Sequence, residues 1–259
     1  MESAVSFPVA ILAAGEGSRL RNHGNATPKP CMSLCGAAIA EWSLRAFAIA
    51  GVREFRVGTG YESDRVRQTY SRVASELGCQ VEFLPVTNWQ DGNGVTALTL
   101  ARSFAGQSFL LSMADHIFSP RMIRYLAAHS QSAQAIALAV DSHTESFVDL
   151  DDLTKVRIAA NKIVAIGKDI SPWHAGDTGL FLCNDSLQQG LSAAQAAGEF
   201  SLSDGVRHCA EVGAVEAARL PEPRLWIDID TPQDLELAAT ERADILHEIN
   251  SFPDLGKTE

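Results

Sequence analysis

The feature that most restricts the fold is an alternation, across residues 1–130, of short wholly apolar runs with longer amphipathic stretches. Pro8 to Leu12 (PVAIL) is apolar at every position, and a polar, Gly-rich loop follows it. Ala37 to Ala50 carries Ile39, Trp42, Leu44, Phe47 and Ile49 at helical spacing, and Gly51 is the natural stop. Phe55 to Gly58 reads as a second strand, Glu62 to Leu77 as a second helix and Val81 to Pro85 as a third strand. A polar loop from Asn88 to Gly94 leads into a helix ending near Phe104, and Phe109 to Met113 (FLLSM) is a fourth strand. A strand that is apolar on both faces must be covered on both faces. The pattern therefore predicts an α/β fold, a mixed and mainly parallel sheet with helices on either side.

The second part changes character. Ala135 to Val140 reads as a strand, and Lys155 to Ile158 with Lys162 to Ile166 as a hairpin turning at Ala160-Asn161. Leu180 to Cys183 is a further strand, and helices follow around Leu187–Ala197 and Ser203–Val212. Leu225 to Ile229 reads as a last core strand, and a helix runs from Pro232 to about Ile249. That helix is announced by Thr231 as N-cap, Pro232 in the first position and Asp234 in the first turn. With no repeat and no low-complexity linker, the short strands are expected to form a small antiparallel insert on the same sheet. One domain over 1–259 is the expectation, with a first half 1–130 and a second half 131–259 that includes the C-terminal helix.

Composition excludes several classes. With 46% hydrophobic and 20% charged residues the chain is neither disordered nor a fibrous rod. No apolar run reaches transmembrane length, so no direct membrane insertion is expected. Met1-Glu2-Ser3-Ala4-Val5 has no basic n-region, so a cleaved signal peptide is not expected. Lys plus Arg is 21 against 32 Asp plus Glu, a net charge of −11 without a basic stripe, which argues against nucleic acid as a partner. Five scattered cysteines without a CxxC pair fit a reduced, cytoplasmic protein. Oligomeric state is not legible from such patterns.

The loop after the first strand is Ala13-Ala14-Gly15-Glu16-Gly17-Ser18-Arg19-Leu20. Ligands of open α/β sheets bind beyond the carboxyl ends of the strands, and small residues there let backbone N–H groups approach phosphate. There is no GxxxxGK[ST] string. Gly15 and Gly17 begin a GxGxxG fingerprint, but the third glycine is absent, and Glu41 lies too far along for the acidic partner of a dinucleotide site. An NAD(P)-dependent dehydrogenase is thereby disfavoured. Arg19 offers a fork for phosphate oxygens, and Thr27-Pro28-Lys29-Pro30 holds Lys29 in a stiff, extended segment.

Leu12-Ala13-Ala14-Gly15-Glu16-Gly17-Ser18-Arg19-Leu20 followed by Thr27-Pro28-Lys29-Pro30 resembles the signature of the nucleotidyltransferases that activate sugar-1-phosphates and related phosphomonoesters. The resemblance covers nearly the whole chain. It implies a Rossmann-like nucleotidyltransferase domain whose loop (Leu12, Ala13, Ala14, Gly15, Gly17, Ser18) wraps a nucleoside triphosphate. Arg19 would grip the outgoing pyrophosphate, and Lys29 the α-phosphate and acceptor phosphate. Asn88, Asn93 and Gly94 would lie in the loop that reads the base. Cys31 and Gly36-Ala37-Ala38-Ile39 depart from the usual pattern, on the helix side of the loop, where packing rather than chemistry is expected to change.

Asp115 follows the fourth strand, and Asp228 and Asp230 end the last one. Carboxylates delivered to one sheet edge suit Mg²⁺, which takes one or two of them together with substrate phosphates and water. The resemblance implies Asp115 and Asp228 as metal ligands, with Asp230 the second choice because Asp230-Thr231-Pro232 also looks like a helix entry. Four short motifs, around Asp115-His116, Lys155, Asp177-Thr178-Gly179 and Asp230-Thr231-Pro232, narrow the resemblance to the CTP-dependent inositol-1-phosphate cytidylyltransferases. By that resemblance Lys155 would neutralise the acceptor phosphate, Asp177 and the Gly179 backbone would hold polyol hydroxyls, and His116 would touch substrate. The implied reaction joins CTP to inositol-1-phosphate, and the product would pass to a membrane phosphotransferase. Another triphosphate, or a sugar-1-phosphate, phosphocholine or phosphonate acceptor, stays open. So does a non-catalytic nucleotide sensor, although Lys29 with an Asp pair is more than a sensor needs.

Overall fold

Val-Ala-Ile-Leu-Ala offers water no polar side chain on either face of a strand. In the computed structural model this strand, β1 (Val9–Ala13), is buried at all five positions, inside a nine-stranded sheet. Its alternate residues feed two separate cores. Val9, Ile11 and Ala13 pack with Phe47, Phe55 and Phe118, while Ala10 and Leu12 pack with Leu98, Phe109 and Phe181 on the opposite face. The structure describes residues 4–17, 27–129, 134–143, 150–240 and 243–252.

After β1 come a ribbon of β2 (Ser33–Leu34) and β3 (Ala37–Ala38), α1 (Ile39–Ala50), β4 (Glu54–Thr59), α2 (Ser63–Glu76), β5 (Gln80–Pro85), α3 (Asn93–Ser103) and β6 (Phe109–Met113). The chain continues through β7 (His116–Phe118), α4 (Pro120–Ala127), β8 (Ile136–Asp141), β9 (Lys155–Ala159), β10 (Lys162–Gly167) and β11 (Ala175–Cys183). It ends with α5 (Asp185–Ala196), α6 (Leu202–Glu211), β12 (Val215–Arg219), β13 (Trp226–Asp228), α7 (Pro232–Thr240) and α8 (Ala243–Asn250).

The sheet order is β5-β4-β1-β6-β11-β8-β12-β10-β9. The first four strands are mutually parallel. β11 then runs antiparallel to both β6 and β8, β12 is parallel to β8, and the β9–β10 hairpin completes the row. β9 also pairs with β11, so this end of the sheet curls back on itself. The result is the mixed Rossmann-like α/β fold, with the antiparallel strands in its second part. The hairpin turns where expected, with both Ala160 and Asn161 in the left-handed region at φ 46° and 65°.

Some expectations are corrected. Leu225–Ile229 does not join the main sheet. Its core, β13, pairs only with β7 in a separate two-stranded ribbon. Trp226, Ile227 and Asp228 are too few to signal which partner they will choose, and the core that Trp226 and Ile227 share with α1 takes them. The terminal helix is described as α7 and α8, on either side of residues 241–242, which lie outside the described residues. The predicted helix at Ala37 begins at Ile39, because Ala37 and Ala38 pair with β2. α4 and β12 were not expected, although Ser119 caps α4 by accepting from the Arg121 N–H and Pro120 opens it.

This topology sets β1 and β6 side by side, with Leu12 opposite Met113, so the segments that follow them open at one edge. A second junction completes the cleft. The first turn of α3 abuts the entry to α6, where the Gly94 N–H donates to Phe200 O (2.8 Å) and Leu202 N–H donates to Asn93 Oδ1 (2.8 Å). A Cβ on Gly94 would stand 2.6 Å from the carbonyl oxygens of both Phe200 and Ser201. Gly94→Ala should therefore cost about 1–3 kcal/mol through overpacking. Thermal unfolding would show it as a lowered midpoint, and an unchanged midpoint would mean that the junction yields.

Candidate active site

At the end of β1 the backbone of Ala14 and Gly15 faces a cavity of about 170 Å³, whose other walls include Lys29, Trp89, Asn93 and Asp115. A Cβ on Gly15 would meet nothing within 4 Å, so its face is open to a ligand. Gly17 is in the left-handed region at φ 65°, and a Cβ there would lie 2.7 Å from the Lys29 stem. The loop thus needs glycine to pass over that lysine. Lys29 itself begins a single 3-10 turn, Lys29–Cys31, flanked by Pro28 and Pro30. Ser18 and Arg19 lie outside the described residues.

The proposed base-reading set is only partly assembled. Asn93 borders the cavity, but Asn88 is exposed and not on its wall, and Gly94 spends its N–H on Phe200 as described. Trp89, which the sequence reading passed over, supplies a wall instead and is held edge-on by Tyr61 at 6.0 Å. The signal for it was slight, one aromatic residue within an otherwise polar loop.

The charged centre lies where the two strand ends meet. Lys29 Nζ donates to Asp115 Oδ2 at 2.8 Å and also pairs with Asp230. The other Asp115 oxygen meets His116 Nδ1 at 2.9 Å. Because β13 pairs with β7, Asp228 stands opposite His116, and its Oδ1 is 3.5 Å from the same Nδ1. Asp115, His116 and Asp228 offer donor atoms that all lie within 4.8 Å of one another. The Asp228 Oδ1 is buried and has no hydrogen-bond partner among the described residues. Asp230 combines two tasks: its N–H donates to Asp234, which caps α7 with Thr231, while its carboxylate goes to Lys29.

Electrostatics follow this geometry. Burial disfavours charge on Lys29, but the two carboxylates hold its ammonium above the ordinary lysine value. Burial likewise opposes ionisation of Asp115, yet Lys29 and His116 keep its carboxyl well below the usual range. Burial of His116 is outweighed by Asp228, Asp115 and Asp230, which lift it to about 9. Burial, opposed by His116 and reinforced by Asp115 and Asp230, raises Asp228 to about 7.

Beyond Asp115 the site opens into a larger cavity of about 630 Å³. Of the predicted acceptor residues, His116, Asp177 and Gly179 line it, as do Asp228 and Asp230. Lys155 is not on its wall, and its ammonium instead donates to the Lys168 carbonyl at 2.8 Å. Lys168 is on the wall and pairs with Asp152. Lys155 is on β9 and Lys168 is in the turn that follows β10, and sequence spacing alone did not resolve which of the two would reach the cavity. The Gly179 N–H is committed to Asp177 Oδ1 (2.8 Å), so it holds the carboxylate rather than facing a ligand. Burial raises Asp177 to about 6, against the pull of that N–H and of His116. Trp226 stacks on the His116 ring at 6.0 Å, and its indole N–H donates to the buried Asp141 at 3.0 Å. Both cavities share Asn93, Met113 and Asp115, so two ligands would meet at Asp115.

A family model described as the MobA-like NTP transferase domain matches residues 9–174. The bifunctional IPC transferase and DIPP synthase of Rubrobacter xylanophilus is 31% identical over 234 residues, covering 88% of this chain and 50% of that protein. The 2-aminoethylphosphonate cytidylyltransferase of Lancefieldella rimae is 30% identical over 170 residues, 64% of this chain and 62% of that one. The chain spans about half the length of the bifunctional relatives it matches. Among solved structures, the inositol-1-phosphate CTP transferase from T. maritima shares the fold at a TM-score of 0.78, with 24% identity, over 96% of this chain and 98% of that chain.

Gly179 is left-handed at φ 75°, and a Cβ on it would lie 2.9 Å from the His116 ring. Gly179→Ala should cost about 1–2 kcal/mol and displace the imidazole. Among the seven histidines, imidazole NMR signals of His116 should shift most. A spectrum unchanged at His116 would show that the ring is not held by this contact.

Proposed function

The chain belongs to the MobA-like NTP transferase family, and on that premise we propose that it joins CTP to a small phosphomonoester, inositol-1-phosphate first, releasing pyrophosphate. The observation that carries the reading is the meeting of two cavities at Asp115, beside Lys29, beyond the carboxyl ends of β1 and β6. An acceptor phosphate oxygen attacks the α-phosphorus, one P–O bond forms, and the bond to the β-phosphate bridging oxygen breaks with pyrophosphate leaving. A phosphate monoester is already anionic at neutral pH, so the protein's work is positioning and charge neutralisation.

The smaller cavity takes the triphosphate. Leu12, Ala13, Ala14, Gly15 and Gly17 bring backbone close to it, and Trp89 and Asn93 flank the base. Lys29 binds the α-phosphate and the incoming phosphate, and Arg19 takes the pyrophosphate. The larger cavity takes the acceptor, with Lys168 on its phosphate in place of Lys155, and Asp177 accepting polyol hydroxyls. On this reading 1–259 acts as one domain, the first half presenting the nucleotide and the second most of the acceptor wall. Asp115 and Asp228 fit Mg²⁺: they present oxygen donors on one spot, and the Asp228 Oδ1 is buried and makes no hydrogen bond among the described residues. Asp230 ranks behind Asp228 because it is not in the group of donor atoms, from Asp115, His116 and Asp228, that lie within 4.8 Å of one another. Bound there, Mg²⁺ would supply positive charge to the phosphate oxygens.

CTP and inositol-1-phosphate are supported by the name of the structural neighbour and by the IPC transferase relatives. The partner that such a reaction calls for is a membrane phosphotransferase that consumes the CDP-alcohol. No helix of the described residues is long and apolar enough to cross a membrane, and a cytoplasmic site of action fits a CTP-using step. A second reading has a specific support. Asp152, Asp177, Asp228 and Asp230 make the acceptor wall acidic, which would also suit an aminoalkyl phosphonate such as the Lancefieldella rimae relative's name describes.

Pyrophosphate release, measured for each of the four triphosphates against inositol-1-phosphate, sugar-1-phosphates, phosphocholine and 2-aminoethylphosphonate, separates these readings. CTP with inositol-1-phosphate should give the highest kcat/KM. The phosphonate alone would install the second reading, and silence with every pair would leave a nucleotide sensor. Lys168→Ala should raise the acceptor KM about tenfold, the loss of one charge-assisted phosphate contact, with the CTP KM unchanged. Lys155→Ala should change it far less, and the reverse order would return the role to Lys155.

A further inference from the structure

Both oxygens of Asp115 are engaged among the described residues. Oδ2 accepts from the Lys29 ammonium and Oδ1 faces the His116 imidazole. A divalent cation on Asp115 would sit within a few ångströms of both the Lys29 ammonium and the His116 ring, and like-charge repulsion then favours the departure of one of them. His116 cannot readily leave, because it is buried beneath Trp226, Gly179 and Asp228. Lys29 can. Its backbone is fixed between two prolines, but its side chain also forms a wall of the smaller cavity, where phosphates are proposed to sit. Turning the ammonium from the carboxylates to that cavity needs only side-chain rotation.

We propose that Lys29 is a tethered counter-cation for the metal-binding carboxylates, exchanging with the divalent cation on Asp115 as it turns to the nucleotide phosphates. The inference rests on the reading of Asp115 and Asp228 as metal ligands. Asp230 then serves as a positioning residue, the second carboxylate that holds Lys29 in its waiting place. The physical benefit is that neighbouring carboxylates, partly desolvated, do not face one another uncompensated before the substrate arrives. The same charge that screens them is delivered to phosphate when a stronger cation replaces it.

Mn²⁺ titration of the nucleotide-free protein, followed by the EPR signal of the free ion, tests this. Lys29→Met should bind Mn²⁺ at least about fivefold tighter than the parent, and Asp115→Asn should lose the site. Lys168→Met removes an equal charge from the cavity wall without touching Asp115, and should change the affinity less than about twofold. Equal affinities in the parent and Lys29→Met would overturn the exchange while leaving the metal reading in place. An equal gain in Lys168→Met would overturn it too, as an effect of net charge alone. No Asp115-dependent binding in any variant would overturn the metal reading and the exchange together. Should Lys29→Met fail to fold, the unmutated protein carries the test. Labelling of Lys29 by an amine-reactive reagent, read by mass spectrometry, should rise as Mg²⁺ is added, and labelling that does not respond to Mg²⁺ would overturn the proposal.

Discussion

One ammonium group held between two carboxylates ties the molecule's working parts together. Lys29 reaches Asp115 across 86 positions of sequence and Asp230 across 201. Each partner is carried by a different element: a proline-flanked turn, the end of β6 and the entry to α7. The pair is only slightly exposed, so removing one partner would leave a buried charge uncompensated and cost more than breaking a surface ion pair. The neighbouring ribbon of β7 and β13 adds His116 and Asp228 to the same spot. The cluster's position therefore depends on β1, β6, β7, β13 and α7 all being in place.

That cluster also explains how an acidic protein can handle anions. A net charge of −11 repels phosphate at a distance. Close to the site, the relevant charges are few and local. Lys29 borders the smaller cavity and Lys168 the larger, and carboxylates between them account for part of the surplus. The remaining acidic wall around Asp152 and Asp177 is suited to hydroxyl or ammonium groups. An acceptor would thus be read at two ends, one anionic and one polar.

The first half of the fold was legible because its two central strands are buried on both faces. Val9–Ala13 and Phe109–Met113 have no polar alternative, and the helices between them are marked by spacing and by Gly51. The second half was less legible. Trp226–Asp228 is too short to declare its partner, and Val215–Arg219 contains polar residues that mask its place between β8 and β10. In the site, strand-end carboxylates and the Pro-Lys-Pro segment stood out because their chemistry is unusual in those positions. Trp89 and Lys168 did not, since one aromatic in a loop and one lysine in a turn look ordinary until a cavity is seen beside them. Gly94 and Gly179 were legible as special but not for the right reason. One packs against backbone carbonyls and the other against an imidazole.

By itself, then, the sequence determined the layered α/β class, the small-residue loop after the first strand, and the kinds of group available at the strand ends. These follow from local patterning, in which burial, backbone freedom and charge are properties of neighbours in the chain. Tertiary structure alone decided which of those groups meet. It set Asp228 opposite His116, turned Asp230 to Lys29, and put Lys168 rather than Lys155 on the cavity wall. The physical reason is that electrostatic partnership acts over a few ångströms of space, and strand pairing between distant segments is what sets those distances.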